Sequence, residues 1–211
     1  MSVRKIILGA AAAALAVAYA VIPRHADLRA FDPAEMARLE TAMWRDYYDK
    51  RYVALVCHLY TSTRTQFGFS PYQSLHVAFN AAEAARTFQP TQSRQEADAA
   101  LPALMAYYRD FAPAAPAAFD VEAAARLELD WWQARREAVV AGDYGLTIAR
   151  VAALTYGKAA DDPGIRQFGI ARAEAMALRD ARGEAITDAD WAAIEARLAG
   201  AYGALKASVV R

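Results

Sequence analysis

From Ile6 to Ile22 the chain runs without a polar interruption, "IILGAAAAALAVAYAVI", behind a basic flank of Arg4 and Lys5. At about 1.5 Å per residue the run reaches roughly 26 Å as a helix, just short of a typical hydrocarbon core. The pattern predicts a segment that targets a membrane. Retention as a single-pass signal-anchor is the leading reading. Cleavage is the second, because Ala18-Tyr19-Ala20 is an acceptable small-x-small signal peptidase site. Arg24 and Arg29 nearly balance the basic residues before the run, so the free amino terminus tips the orientation to N-inside. The body is then expected to be periplasmic or otherwise extracytoplasmic.

Beyond the run, apolar residues recur at helical spacing, and no stretch alternates as a strand would. Residues 23–31, "PRHADLRAF", read as a short polar tether. Asp32-Pro33-Ala34-Glu35 combines a side-chain N-cap, proline at the first helical position and a capping-box glutamate. It predicts a helix running to about Gln66 and stopped by Gly68. Ser70-Pro71 opens the next, which ends near Gln89-Pro90, and Ser93 with Glu96 opens a third through "ALPALMAYYRDF". Pro102 should kink that helix or mark a frayed first turn. The alanine–proline stretch 112–119 reads as a linker. Asp120 then caps a helix to Gly142, Asp143 starts a shorter one to about Gly157, Asp162-Pro163 opens one closed by Gly183, and Thr187 with Asp190 opens the last. The expected fold is therefore all-α: an N-terminal apolar helix followed by a compact bundle of about seven helices in a single domain, 32–211.

The two sides of the linker correspond. Leu39, Glu40 and Trp44 match Leu127, Glu128 and Trp132; Ser70-Pro71 matches Asp162-Pro163, Glu83 matches Glu174 and Tyr108 matches Tyr202, at offsets drifting from about 88 to about 94 residues. Two related three-helix units, 32–111 and 120–208, are expected to pack about a pseudo-two-fold axis, with the long first helix of the first unit split at Gly142-Asp143 in the second.

Composition narrows the function classes. Lysine plus arginine and aspartate plus glutamate number 24 each, which offers a nucleic acid no electrostatic footprint. The apolar share of 56% is ample for a core. Cys57 stands alone, which excludes an internal disulfide, a CxxCH haem attachment and a cysteine zinc cluster, and its apolar neighbours predict a buried thiol. Ser62, Ser70, Ser74 and Ser93 lack a Gly-x-Ser-x-Gly elbow, and the glycines stand singly at helix ends instead of forming a phosphate loop. No cofactor is predicted, and enzymatic activity is disfavoured.

What chemistry remains lies in four glutamates, two histidines and the aromatics. Under the repeat, Glu40, Glu83, Glu128 and Glu174 come from four helices in two related pairs, a distant echo of carboxylate-bridged di-metal sites that lacks their Glu-x-x-His motifs. Pairing of each glutamate with a nearby arginine, such as Arg51, Arg86, Arg136 or Arg172, or exposure to water, is the plainer reading. His58 and His76 lie either side of the Gly68 turn, with Glu83 two turns after His76, and make a second candidate metal set. Trp131 belongs to an adjacent aromatic pair that could anchor a partner, and "RTQFGFSPYQ" gathers Arg64, Phe67, Phe69 and Tyr72 into a turn expected to be a contact loop.

These features favour a membrane-tethered extracytoplasmic interaction protein, an accessory or assembly subunit docking on an integral membrane protein complex. The alternative is a periplasmic ligand- or metal-binding protein or enzyme with its site between the halves, and a homodimeric structural bundle is a third reading.

Overall fold

In the computed structural model, which describes residues 3–22 and 24–210, every regular element is helical. The apolar run forms α1 (Val3–Val21), long and apolar enough to cross a membrane and with none of its spanning window buried. Pro23, where the expected tether begins, lies outside the described residues.

The body holds α2 (Pro33–Tyr48), α3 (Tyr52–Gln66), α4 (Pro71–Phe88), the single turn α5 (Arg94–Ala97), α6 (Leu101–Phe111), α7 (Val121–Arg136), α8 (Ala141–Tyr156), α9 (Pro163–Arg182) and α10 (Asp188–Val209). Their starts follow the capping chemistry. Asp32, Ser70, Ser93, Asp120, Asp162 and Thr187 each accept from a backbone N–H in the first turn, and Ser70 and Thr187 complete full capping boxes. Pro102 sits at the start of α6 behind a turn of 3-10 helix, without a kink inside a longer helix.

Two expected boundaries move. The helix expected from 32 to 66 is broken between α2 and α3, and the later break falls at 137–140, not at Gly142-Asp143. Each break turns on a residue in the left-handed conformation, Lys50 at φ 58° and Ala138 at φ 56°. Neither is glycine, so neither announces itself in the sequence. One break follows α2 and the other follows α7.

Consecutive long helices pack side by side, α2 on α3, α3 on α4, α4 on α6, α6 on α7, α7 on α8, α8 on α9 and α9 on α10, and α10 closes back on α2. The result is a ring of eight helices around a common axis, its inner faces forming the core. The ring is tightest where α8 meets α9. Cβ atoms added at Gly145 and Gly169 would come within 2.8 Å of the Ile170 Cα and 2.2 Å of the Gly145 carbonyl oxygen, so only glycine permits that approach.

The segment 24–31 is no solvated tether. Leu28 and Phe31 are buried, the Asp27 and Leu28 amides donate to the carbonyls of Phe67 and Ala114, and Tyr156 and Lys206 donate to the carbonyls of Leu28 and Phe31. It closes the end of the ring formed by the C-termini of α3, α6, α8 and α10. The expected linker is likewise anchored, with Ala112–Ala114 in a 3-10 turn and Ala114 buried. Cys57 is exposed on α3, against the expectation of burial: it points outward from a ring whose inner face at this helix is taken by Leu55, Leu59 and Ser62.

A central chamber as candidate functional site

Inside the ring lies a cavity of about 380 Å³, lined by side chains from all eight long helices and floored by Leu28. Its wall is mostly apolar and aromatic, including Trp44, Tyr47, Phe67, Tyr107, Phe111, Trp132, Tyr156 and Phe168. Among the described residues, three that line it carry formal charge: Glu40, Glu128 and Arg172.

Glu40, buried on α2, is fully engaged. Arg172 on α9 reaches its Oε1 with Nε at 2.7 Å and Nη2 at 2.6 Å, and the Tyr202 hydroxyl on α10 donates to Oε2 at 2.6 Å. The guanidinium also lies over the Trp131 ring, 5.2 Å from its centroid. Burial works against the Arg172 charge, but Glu40, Tyr202 and Glu128 outweigh it and hold the pKa above the ordinary arginine value.

Glu128, on α7, has a different set. Tyr108 on α6 donates to Oε2 at 2.8 Å and the Trp132 indole N–H, one turn along, donates to Oε1 at 3.1 Å. Among the described residues it has no ion pair. The two tyrosine bonds are reciprocal across the ring: the last long helix of each half donates to the glutamate on the first helix of the other half. Burial first, then the adjacent carboxylate, pushes the Tyr108 and Tyr202 hydroxyls well above their ordinary value, so both stay protonated donors. Tyr107 is raised by the same causes, and its hydroxyl has no hydrogen-bond partner among the described residues.

The other expected metal candidates do not join these two. Glu83 faces outward and pairs with Arg86 three residues on, and Glu174 pairs with Arg197 on the outer side of α10. His58 and His76 take separate aspartates: Asp46 at 2.6 Å from His58 Nδ1, and Asp110 at 2.8 Å from His76 Nδ1. Neither histidine reaches the other, and among the described residues no three metal-ligating side chains converge.

The expected contact loop turns mostly inward. Phe67 and Phe69 are core residues packed edge-on against Phe111, because the chain folds back at Gly68 and carries both rings under the ring's end. Arg64 donates to the Phe69 carbonyl and to the Tyr19 hydroxyl of α1, which makes it a clasp between body and apolar helix. Trp131 is buried too. Tyr72 alone of the five is exposed, and it begins a stripe with Leu75 and Phe79 along the outer face of α4, beside α1. The chamber itself went unread in the sequence. Its nearest signal was the spacing shared by Glu40, Trp44 and Tyr202 with Glu128, Trp132 and Tyr108.

Comparison with known protein families, with curated proteins and with solved structures returns no match for this chain.

Proposed function

We propose that this protein is a membrane-tethered binding protein whose helical ring holds a small, largely apolar ligand in its central chamber. The chamber supports this reading: a cavity of about 380 Å³ falls within the range of small-ligand sites, and aromatic walls with a few convergent polar groups are their usual lining. The ring arose from two related units, 32–111 and 120–208. The matched N-caps Asp32 and Asp120, the matched left-handed residues Lys50 and Ala138, and the reciprocal tyrosine–glutamate bonds support this duplication. The apolar α1 serves as a signal-anchor that places the body on the extracytoplasmic side.

The test is calorimetry on the full-length protein in mild detergent with hexan-1-ol as probe. Saturable binding that is lost in Ala82→Phe, where the added ring enters the chamber, is the expected result. An absence of saturable binding to the wild type overturns the reading.

A second reading is an accessory subunit of an integral membrane protein complex. It is supported by the exposed stripe of Tyr72, Leu75 and Phe79 on α4 next to α1. Phe79→Glu should then release a partner that co-purifies from native membranes while leaving hexan-1-ol binding unchanged; retention of the partner removes this surface from consideration.

A further inference from the structure

The two halves of the chamber are alike except in charge. The carboxylates of Glu40 and Glu128 occupy corresponding turns of α2 and α7, and each accepts a tyrosine hydroxyl from the opposite half. Glu40 also has Arg172. The repeat places Ala81 of α4 where Arg172 stands on α9, and Ala81 lines the chamber with only a methyl group. Arg172 lies within electrostatic reach of Glu128, but its hydrogen-bond donors to the chamber carboxylates go to Glu40. Two formal negative charges and one positive therefore face an apolar space. Glu128 is half-buried, and a carboxylate that faces an apolar, aromatic space without a cation of its own favours the arrival of one, so the missing partner is the group this side lacks.

The surroundings say which cation completes it. One carboxylate without converging His, Cys, Asp or Glu is a poor site for a divalent metal, which needs several ligands. An organic ammonium needs one anion, aromatic faces and apolar walls for its stem. Trp132 is held in place by its bond to Glu128 and braced by Phe88 at 5.1 Å between centroids, and the Tyr107 hydroxyl is free to accept from an ammonium N–H.

Building on the chamber reading, we propose that the ligand is a small organic monocation, an alkylamine or quaternary ammonium compound. Its charged head sits against Glu128 in the space that Ala81 leaves open, and its stem lies along the aromatic wall.

The test compares hexyltrimethylammonium with hexan-1-ol on the full-length protein in detergent, by calorimetry and tryptophan fluorescence. The cation is expected to bind the wild type more tightly than the alcohol. Glu128→Gln should weaken the cation by roughly 10-fold or more and shrink its advantage over the alcohol, because the charge that the cation alone requires is gone. Ala81→Arg, which supplies the missing arginine without touching Glu128, should abolish cation binding by a second route and covers the case of a poorly folded glutamine variant. Equal binding of cation and alcohol, or cation binding that survives both substitutions, overturns the proposal while the chamber reading stands. If neither probe binds, both fall.

Discussion

The second half of the ring is packed shut and the first is not, and the difference comes down to a few residues. Between α8 and α9, Gly145 and Gly169 let two backbones meet. Under the proposed duplication the matching positions of α3 and α4 are Cys57 and Ala78, neither of them glycine, and that helix pair packs less extensively. The chamber wall on the first-half side includes Leu59, Ala81, Ala82 and Ala85, all partly exposed, whereas Ile148, Val151, Ala152 and Phe168 opposite are buried. One half thus serves as the scaffold, and the space belongs largely to the other. Charge divides the chamber differently: Glu40 on α2 is ion-paired across the halves to Arg172 on α9, whereas Glu128 on α7 has no ion pair among the described residues.

The comparison breaks most severely at Arg172. Arg172→Ala leaves Glu40 buried with only Tyr202, and should cost about 3–5 kcal/mol in a denaturant midpoint measurement. Glu128→Gln, which removes a charge that has no ion pair, should cost far less, and equal losses would show that the halves are electrostatically alike.

Gly169→Ala comes next. Its methyl group would meet backbone atoms of α8 that cannot turn aside, so a loss of about 1–3 kcal/mol and a lowered Tm are expected. Ala78→Gly on α4 should fall near the lower end of that range, through helix propensity and lost packing alone.

Where the halves agree, the effects should match. Lys50→Gly and Ala138→Gly relieve a left-handed backbone at the two corresponding breaks, and each is expected to raise stability by about 1 kcal/mol. Unequal gains would mean that the two breaks are not structural counterparts.

The smallest effect is on pH. Asp162, capping α9, has its pKa lowered by the Ser208 hydroxyl and by the amides of Ile165 and Gly164; Asp190, at the start of α10, is lowered by the Thr187 amide and hydroxyl and by Arg182. A depressed carboxylate contributes stability above its ordinary value of 3.8, and that contribution is lost as pH falls through the lowered folded value. Under the proposed duplication the counterparts of Asp162 and Thr187 are Ser70 and Ser93, and Ser70 caps α4 without a titrating side chain. Acid titration followed by amide NMR should disturb Ile165 before Gln73, and simultaneous changes would refute the assignment to the caps.

Much of this frame was legible from local chemistry. Side-chain caps at Asp32, Ser70, Ser93, Asp120, Asp162 and Thr187 act within one turn, so their residues declare themselves. The breaks at Lys50 and Ala138 did not, because a left-handed residue other than glycine leaves no mark in the pattern. Burial was misjudged wherever the chain doubles back. Phe67 and Phe69 sit in a turn, and Leu28 and Phe31 in a polar segment, yet all four are covered by helices distant in sequence. Arg172 was expected to pair with a glutamate near it in sequence; its pairing with Glu40 instead depends on ring closure by α10 on α2, which periodicity does not encode.

The segment that closes one end of the chamber is also the segment that leaves α1. From Ile22 to Leu28 the chain advances by about six residues, at most roughly 20 Å when extended. With α1 in a bilayer, the floor made by Leu28 and Phe31 is held against the membrane, and lipid has no direct way in through it. Whatever occupies the chamber then enters and leaves from the aqueous side, past α3 and α4 or through the far end of the ring. Under the proposed signal-anchor and binding readings together, the ligand would reach the chamber as a dissolved solute and not from the lipid.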